Sequence, residues 1–246
     1  MSLLIIIPLF LLLTWGLIYP LTDFYVRFIA PDVIKRGNTL EKKICLTFDD
    51  GPDPVNTPAL LKILQTAGIP AVFFLVGRKA EEHPELVTDI MAAGHEIGAH
   101  TYYHRHAYLM FLKKSLATIT RGIPAIETIT RRPLVYFRPP WGALNLFQYL
   151  FLKKKGGKVV LWTANARDWD IRTGSKQIVE RLQAKTAPGS IIVLHDSGGD
   201  PGAPQNMLKA LPDIIAYFQT HGYRFVTLDE ICGRQAGIPM KGGTAL

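Results

Sequence analysis

The chain has 246 residues, 28 Lys and Arg against 20 Asp and Glu, a formal net charge of +8, and an apolar fraction of 48%. So apolar a chain buries enough surface to offset its ordering entropy, which excludes intrinsic disorder, and its length suits one large α/β domain. The positive balance favours anionic partners such as an acidic envelope or acidic lipid. The lysines are dispersed and no nucleic-acid-binding motif accompanies them, so nucleic acid is not expected among the partners.

In chain order, the run from Leu3 to Leu21 is apolar apart from Pro8, Thr14, Gly16 and Pro20. It is long enough to cross a hydrocarbon core of roughly 30 Å, with Trp15 and Tyr19 placed for an interface. No basic segment precedes it and no small-residue cleavage site closes it, which favours a transmembrane anchor (residues 1–21) over a signal peptide. Residues 22–41, containing Pro31 and Gly37, read as a juxtamembrane connector. Arg27, Lys35 and Arg36 follow the anchor, and the positive-inside tendency pulls the rest of the chain towards the cytoplasm.

A short β-type run follows at Lys43 to Phe48. Asn56-Thr57-Pro58 opens a helix that Gly68 ends, with proline in the first turn where its missing N–H costs little. Ala71 to Val76 is an apolar strand, His83-Pro84 opens a helix closed by Gly94, and His95 to Ala99 is a third strand. A helix over Lys114 to Ile129, kinked near Gly122 and Pro124, precedes a strand at Leu134 to Phe137. Then come a helix at Leu144 to Lys155, a strand at Lys158 to Trp162, a helix at Ser175 to Ala187 and a strand at Ile191 to Leu194. A last helix at Gln205 to His221 leads to a strand at Phe225 to Leu228. Apolar strands alternating with helices imply a parallel sheet covered by helices. Seven such strands predict a single distorted (β/α) barrel over residues 42–233, with 234–246 a loose tail. Cys45 reads as a core thiol; a disulfide to Cys232 requires the first strand and the last element to be neighbours.

Polar residues fall where these strands end: Asp49 and Asp50 after the first, His100 and His104 after the third, Arg138 after the fourth, Asp168 and Trp169 after the fifth, and His195 after the sixth. In a parallel barrel those ends share one face, where active sites are built. Two adjacent carboxylates in extended chain point to different sides, so one can hold a metal while the other faces a water. His100 and His104, four residues apart, can share that ion if the backbone turns helically. One Asp and two His leave coordination positions open, as hydrolytic sites require.

These residues resemble the polysaccharide deacetylases with a NodB-homology domain, carbohydrate esterase family four. Thr47-Phe48-Asp49-Asp50-Gly51-Pro52 is similar to the first family signature and His100-Thr101-Tyr102-Tyr103-His104 to the second. Arg138-Pro139-Pro140-Trp141-Gly142, Asn165-Ala166-Arg167-Asp168-Trp169 and Val193-Leu194-His195 are similar to the third, fourth and fifth. Five signatures in order are far more specific than any one of them. The resemblance implies that Asp50, His100 and His104 hold a divalent ion, zinc or cobalt or another substitute. It implies that Asp49 is the general base, Arg138 its ion-pair partner, and the Trp141 N–H an oxyanion donor. His195 would be the acid, and Trp141, Trp169 and Val193 would border a slot for the acetyl methyl.

The sequence departs from the pattern at Asn165, where the family has an Asp understood to orient the acid. An amide cannot stabilise imidazolium as a carboxylate does, so a weaker acid is expected unless Asp168 compensates. Val193 stands where Leu is usual. The activity implied is N-deacetylation of an N-acetylglucosamine-containing glycan by a membrane-held monomer whose domain lies outside the cytoplasm. O-deacetylation, deacylation of a lipid-linked sugar, and non-catalytic glycan binding are the alternatives.

Overall fold

The computed structural model describes residues 20–37, 39–110 and 112–233. The expected anchor therefore lies, but for Pro20 and Leu21, outside the described residues, as does the expected tail. Among the described residues no helix is long and apolar enough to cross a membrane.

Helix α1 (residues 20–29) ends in a π-helical turn, Tyr25–Ile29. After it come β1 (Lys43–Asp49), α2 (Asn56–Ala67), β2 (Val72–Leu75), α3 (Gly77–Glu82), α4 (Pro84–Ala92) and β3 (Glu96–Ala99). The middle of the chain forms α5 (Leu112–Thr130), β4 (Tyr136–Phe137), α6 (Leu146–Lys154), β5 (Lys158–Val159) and β6 (Ala164–Asn165). It closes with α7 (Ser175–Lys185), β7 (Ile191–His195), α8 (Ala203–Thr220), β8 (Arg224–Phe225) and α9 (Leu228–Ile231). The strands run β5-β4-β3-β2-β1-β7-β6, all in parallel pairs, and β8 pairs with the start of β1. The terminal strands β5 and β6 do not pair with each other, so the expected barrel is an open one.

β1 is the central strand and is buried from Ile44 to Asp49, which is why its sequence runs apolar on both faces. The predicted strand at 158–162 stops at Val159, and the chain adds the short β6 before α7. The predicted strand at 225–228 stops at Phe225, because Thr227 accepts from the Glu230 N–H at 3.2 Å and caps α9 instead. Cys45 and Cys232 are thiols rather than a disulfide.

The segment read as a connector is part of the folded unit. Val26, Ala30 and Val33 are buried in the main core, and Ile34 bridges Val160. Val26 turns inward from α1, while Ala30 and Val33 follow from the non-helical chain after it, an arrangement hidden in the sequence by the apolar residues around them.

Candidate active site

The central pair of strands sets the geometry. In the β1–β7 register Asp49 lies directly opposite His195. Arg138, wholly buried, donates from Nη1 to Asp49 Oδ1 at 2.7 Å and to Thr47 Oγ1 at 2.6 Å. Its other nitrogens reach the carbonyls of Val160 and Leu161 at 3.4 and 3.2 Å, and its plane lies 4.1 Å from the Phe74 ring centre. A buried guanidinium is tolerable only with such full pairing, and the result is a fixed carboxylate.

Asp50 leaves the strand. Its φ of 75° is left-handed, so the two carboxylates diverge through a backbone reversal and not through strand pleat alone. Thr101 and His104 are left-handed as well, at 62° and 52°. The two histidines therefore meet across an irregular loop, which corrects the helical turn expected from their spacing. The His104 N–H donates to Thr101 Oγ1 at 3.1 Å and fixes that loop. Trp141 and Arg167, at 56° and 58°, add two more non-glycine left-handed residues beside the site. Such conformations cost of order 1–3 kcal/mol each and persist only where surrounding contacts enforce them.

Ligand atoms of Asp50, His100 and His104 all lie within 4.8 Å of one another. His100 Nδ1 is 2.7 Å from the Arg138 carbonyl. A carbonyl only accepts, so Nδ1 carries the proton and Nε2 presents a lone pair. That lone pair faces Asp50 Oδ1 at 3.3 Å, and His104 Nε2 approaches the same oxygen at 2.8 Å. Asp50 Oδ1 is buried without a hydrogen bond of good geometry. A lone pair aimed at a buried carboxylate oxygen is repulsive unless a cation lies between them, so this donor set fits a divalent metal.

His195 answers to Asp168, not to Asn165. Asp168 accepts from the His195 backbone N–H at 2.7 Å and stands 3.1 Å from Nδ1. Burial would lower the imidazole pKa; the charge and hydrogen bond of Asp168, then the charges of Asp50 and Asp49, overcome it and push the value up to about 10. Asn165 sits in β6 opposite Val193, with its carbonyl accepting from Lys185. Asn165 thus takes no part in orienting the imidazole, and Asp168 stands where the expected compensation for it would come from.

Trp141 lies in a 3₁₀ turn, Pro140–Gly142, where Gly142 and Ala143 make the turn's own hydrogen bonds and the Trp141 N–H takes no part in them. Its ring is half exposed and tilts against His104 and His106, at centroid distances of 4.6 and 5.2 Å. Trp169 stands edge-on to His195 at 5.3 Å. Val193 is buried between Thr47 and Asn165 in the sheet register.

Several supporting residues carried no signal in the sequence. Lys79 donates to the Asp50 carbonyl at 2.7 Å and to Ser197 Oγ at 2.5 Å. Asp196 accepts from Thr57 at 2.5 Å; burial raises its pKa to about 7 against the opposing effects of Thr57 and Lys79. Arg27, expected only as a charge flanking an anchor, donates to the Trp141 carbonyl at 3.0 Å and is itself held by Asp23 at 2.6 Å. Behind the histidine loop, a Cβ on Gly122 would lie 2.7 Å from the Thr101 carbonyl carbon. Gly122→Ala should therefore cost about 1–3 kcal/mol of stability by overpacking and weaken divalent-metal binding by the loop; urea melts and a metal titration check both.

Comparison with known proteins adds the following. The polysaccharide deacetylase family model matches residues 36–160. A peptidoglycan-N-acetylglucosamine deacetylase of Bacillus cereus is 37% identical over 193 residues, which are 78% of this chain and 88% of that protein. A chitooligosaccharide deacetylase of Sinorhizobium fredii is 34% identical over 164 residues, 66% of this chain and 76% of the relative. Among solved structures, the Bc1960 peptidoglycan N-acetylglucosamine deacetylase, in complex with a naphthalenyl N-oxidanyl-benzamide, superposes with a TM-score of 0.79 at 29% identity. The match covers 86% of this chain and 97% of that one.

Proposed function

Since the chain belongs to the polysaccharide deacetylase family, we propose that it hydrolyses the N-acetyl groups of an N-acetylglucosamine-containing envelope glycan. The observation that carries this reading is the pairing of a fixed carboxylate, Asp49, with a charged imidazole, His195, on adjacent strands in register beside a donor set suited to a metal. A binding protein has no use for a base and an acid facing one another, which weighs against non-catalytic glycan binding. Relatives named for peptidoglycan and for chitooligosaccharide support an amino-sugar substrate.

Asp50, His100 and His104 would hold the divalent ion, most simply zinc given two imidazoles and one carboxylate. When bound, such an ion polarises an acyl carbonyl and acidifies water. Asp49, oriented by Arg138, takes the proton of the attacking water. The Trp141 N–H donates to the oxygen that gains charge as the carbonyl becomes tetrahedral. His195, kept protonated by Asp168, gives its proton to the departing sugar nitrogen as the C–N bond breaks. Acetate and a free amino sugar result. Trp169, against the His195 ring, and Trp141 border the space left for the methyl.

Acetate release from N-acetylglucosamine oligomers is expected to fall below detection after chelation and to return with added zinc or cobalt. Metal-replete protein that releases no acetate from any acetylated glycan would sink this reading.

A further inference from the structure

Fourteen large apolar side chains are exposed among the described residues, and their distribution is uneven. Tyr103, Trp141, Trp169 and Ile171 belong to the loops around the site, and Leu40 and Val55 stand apart. The remaining eight are all on α1 and α6. On α1, Phe24, Phe28 and Ile29 are 55%, 71% and 57% exposed, while on α6 Phe147 and Leu150 are 40% and 50% exposed. Isolated exposed apolar residues need no explanation; a cluster on two neighbouring helices does.

The two helices are fastened together beneath that face. Tyr25 meets Tyr149 edge-on at 5.9 Å. The Tyr149 hydroxyl donates to Asp32 at 2.7 Å, and Lys153 pairs with the same carboxylate at 3.3 Å. α6 runs out into Lys153-Lys154-Lys155, and upstream of α1 the sequence is apolar from Leu3 to Leu21. Both helices also border the Trp141 turn: Arg27 holds its carbonyl, and α6 begins four residues after Gly142.

We propose that the face made by α1 and α6 rests on the surface of an anionic lipid bilayer. Tyr25 is of a residue type enriched at the membrane interface, and Phe24 and Phe28 are typical of the apolar face of interfacial helices. An apolar face flanked by lysines is the pattern of segments that lie in the interface plane of anionic membranes. The occupant is lipid because the sequence immediately upstream of this face is an apolar run of membrane-spanning length. The mouth of the site, at Trp141, then opens at the margin of the membrane.

The test uses the full chain in phosphatidylcholine–phosphatidylglycerol nanodiscs, with an environment-sensitive dye on Phe28→Cys, Phe24→Cys or Leu150→Cys. Val55→Cys, 71% exposed and off this face, is the reference, and all variants carry Cys232→Ser. Doxyl-labelled lipid should quench the dye at positions 24, 28 and 150 several-fold more than at 55. Equal quenching at all positions overturns the proposal. So does a blue-shifted dye that lipid does not quench: concentration dependence would then identify a second copy on the face, and its absence the chain's own upstream segment. The readout needs no substrate, so its failure leaves the deacetylase reading untouched.

Discussion

Replacing Asp168 with Asn is expected to lower kcat by roughly two orders of magnitude or more, the range associated with a positioned general acid, and to shift the alkaline limb of the rate profile to lower pH. The sign follows from the forces on His195. Its folded pKa is raised from 6.5 to about 10, with Asp168 the leading opponent of burial. The acid form is thus favoured by the fold, and activity that needs it is lost as pH rises through the folded value. A cation beside Asp50 offsets the pull of Asp49 and Asp50 and brings that value down. It does not replace Asp168, so removing this carboxylate still lowers the pKa. The stability linked to the raised pKa is fully present below 6.5 and disappears as pH rises through the folded value. Asn165→Asp should change neither kcat nor the limb, because Asn165 does not hold the imidazole. A pH–rate series on the two variants decides the matter. An unmoved limb in Asp168→Asn, or a gain in rate from Asn165→Asp, would show that the acid is governed from elsewhere.

The second large effect concerns Arg138. Arg138→Met leaves Asp49 buried with its cationic partner gone, a change of about 3–5 kcal/mol in comparable buried pairs. For a chain of this size that corresponds to a Tm lower by roughly 10 °C, accompanied by loss of acetate release at every pH. The double variant Asp49→Asn/Arg138→Met should recover much of the stability, since no charge is left stranded, yet remain inactive without its base. Recovery stays incomplete because Thr47 and the carbonyls of Val160 and Leu161 lose their donor. Calorimetry on the parent, the two single variants Asp49→Asn and Arg138→Met, and the double variant measures the coupling directly. A single variant that melts like the parent would mean that Asp49 does not depend on Arg138.

The sequence carried the parallel architecture and the site face unusually far, for a physical reason. Strands buried on both faces, such as Ile44 to Phe48, are continuously apolar, and the first polar residues after them mark their C-terminal ends. Asp49, Asp50, His100, His104, Arg138 and His195 were therefore locatable, and they converge. What could not be read were relations that depend on three dimensions. Asn165 drew attention through its place in a motif, whereas Asp168 holds His195 because β6 and β7 are adjacent and the following loop turns back. The left-handed conformations of Asp50, Thr101, His104 and Trp141 left no trace, since none is a glycine. α1 was concealed by its neighbours: Val26 on the helix and Ala30 just after it are buried, but the apolar residues upstream made them unremarkable. Lys79 and Arg27 act on backbone carbonyls, a role for which no side-chain motif exists.

The burial of Val26 and Ala30 bears on where the folded unit can be cut. The family match begins at residue 36 and the expected domain at Lys42, so either position suggests itself as the start of a shortened protein. Such a protein would lose three core side chains, Val26, Ala30 and Val33, and the guanidinium that steadies the Trp141 carbonyl. The residues proposed as metal ligands, base and acid would all be present, while the turn bearing the proposed oxyanion donor would be loosened and part of the interior opened to water. Low turnover in a fragment of that kind would report the missing brace, and assays of intrinsic rate belong on protein that begins upstream of Pro20.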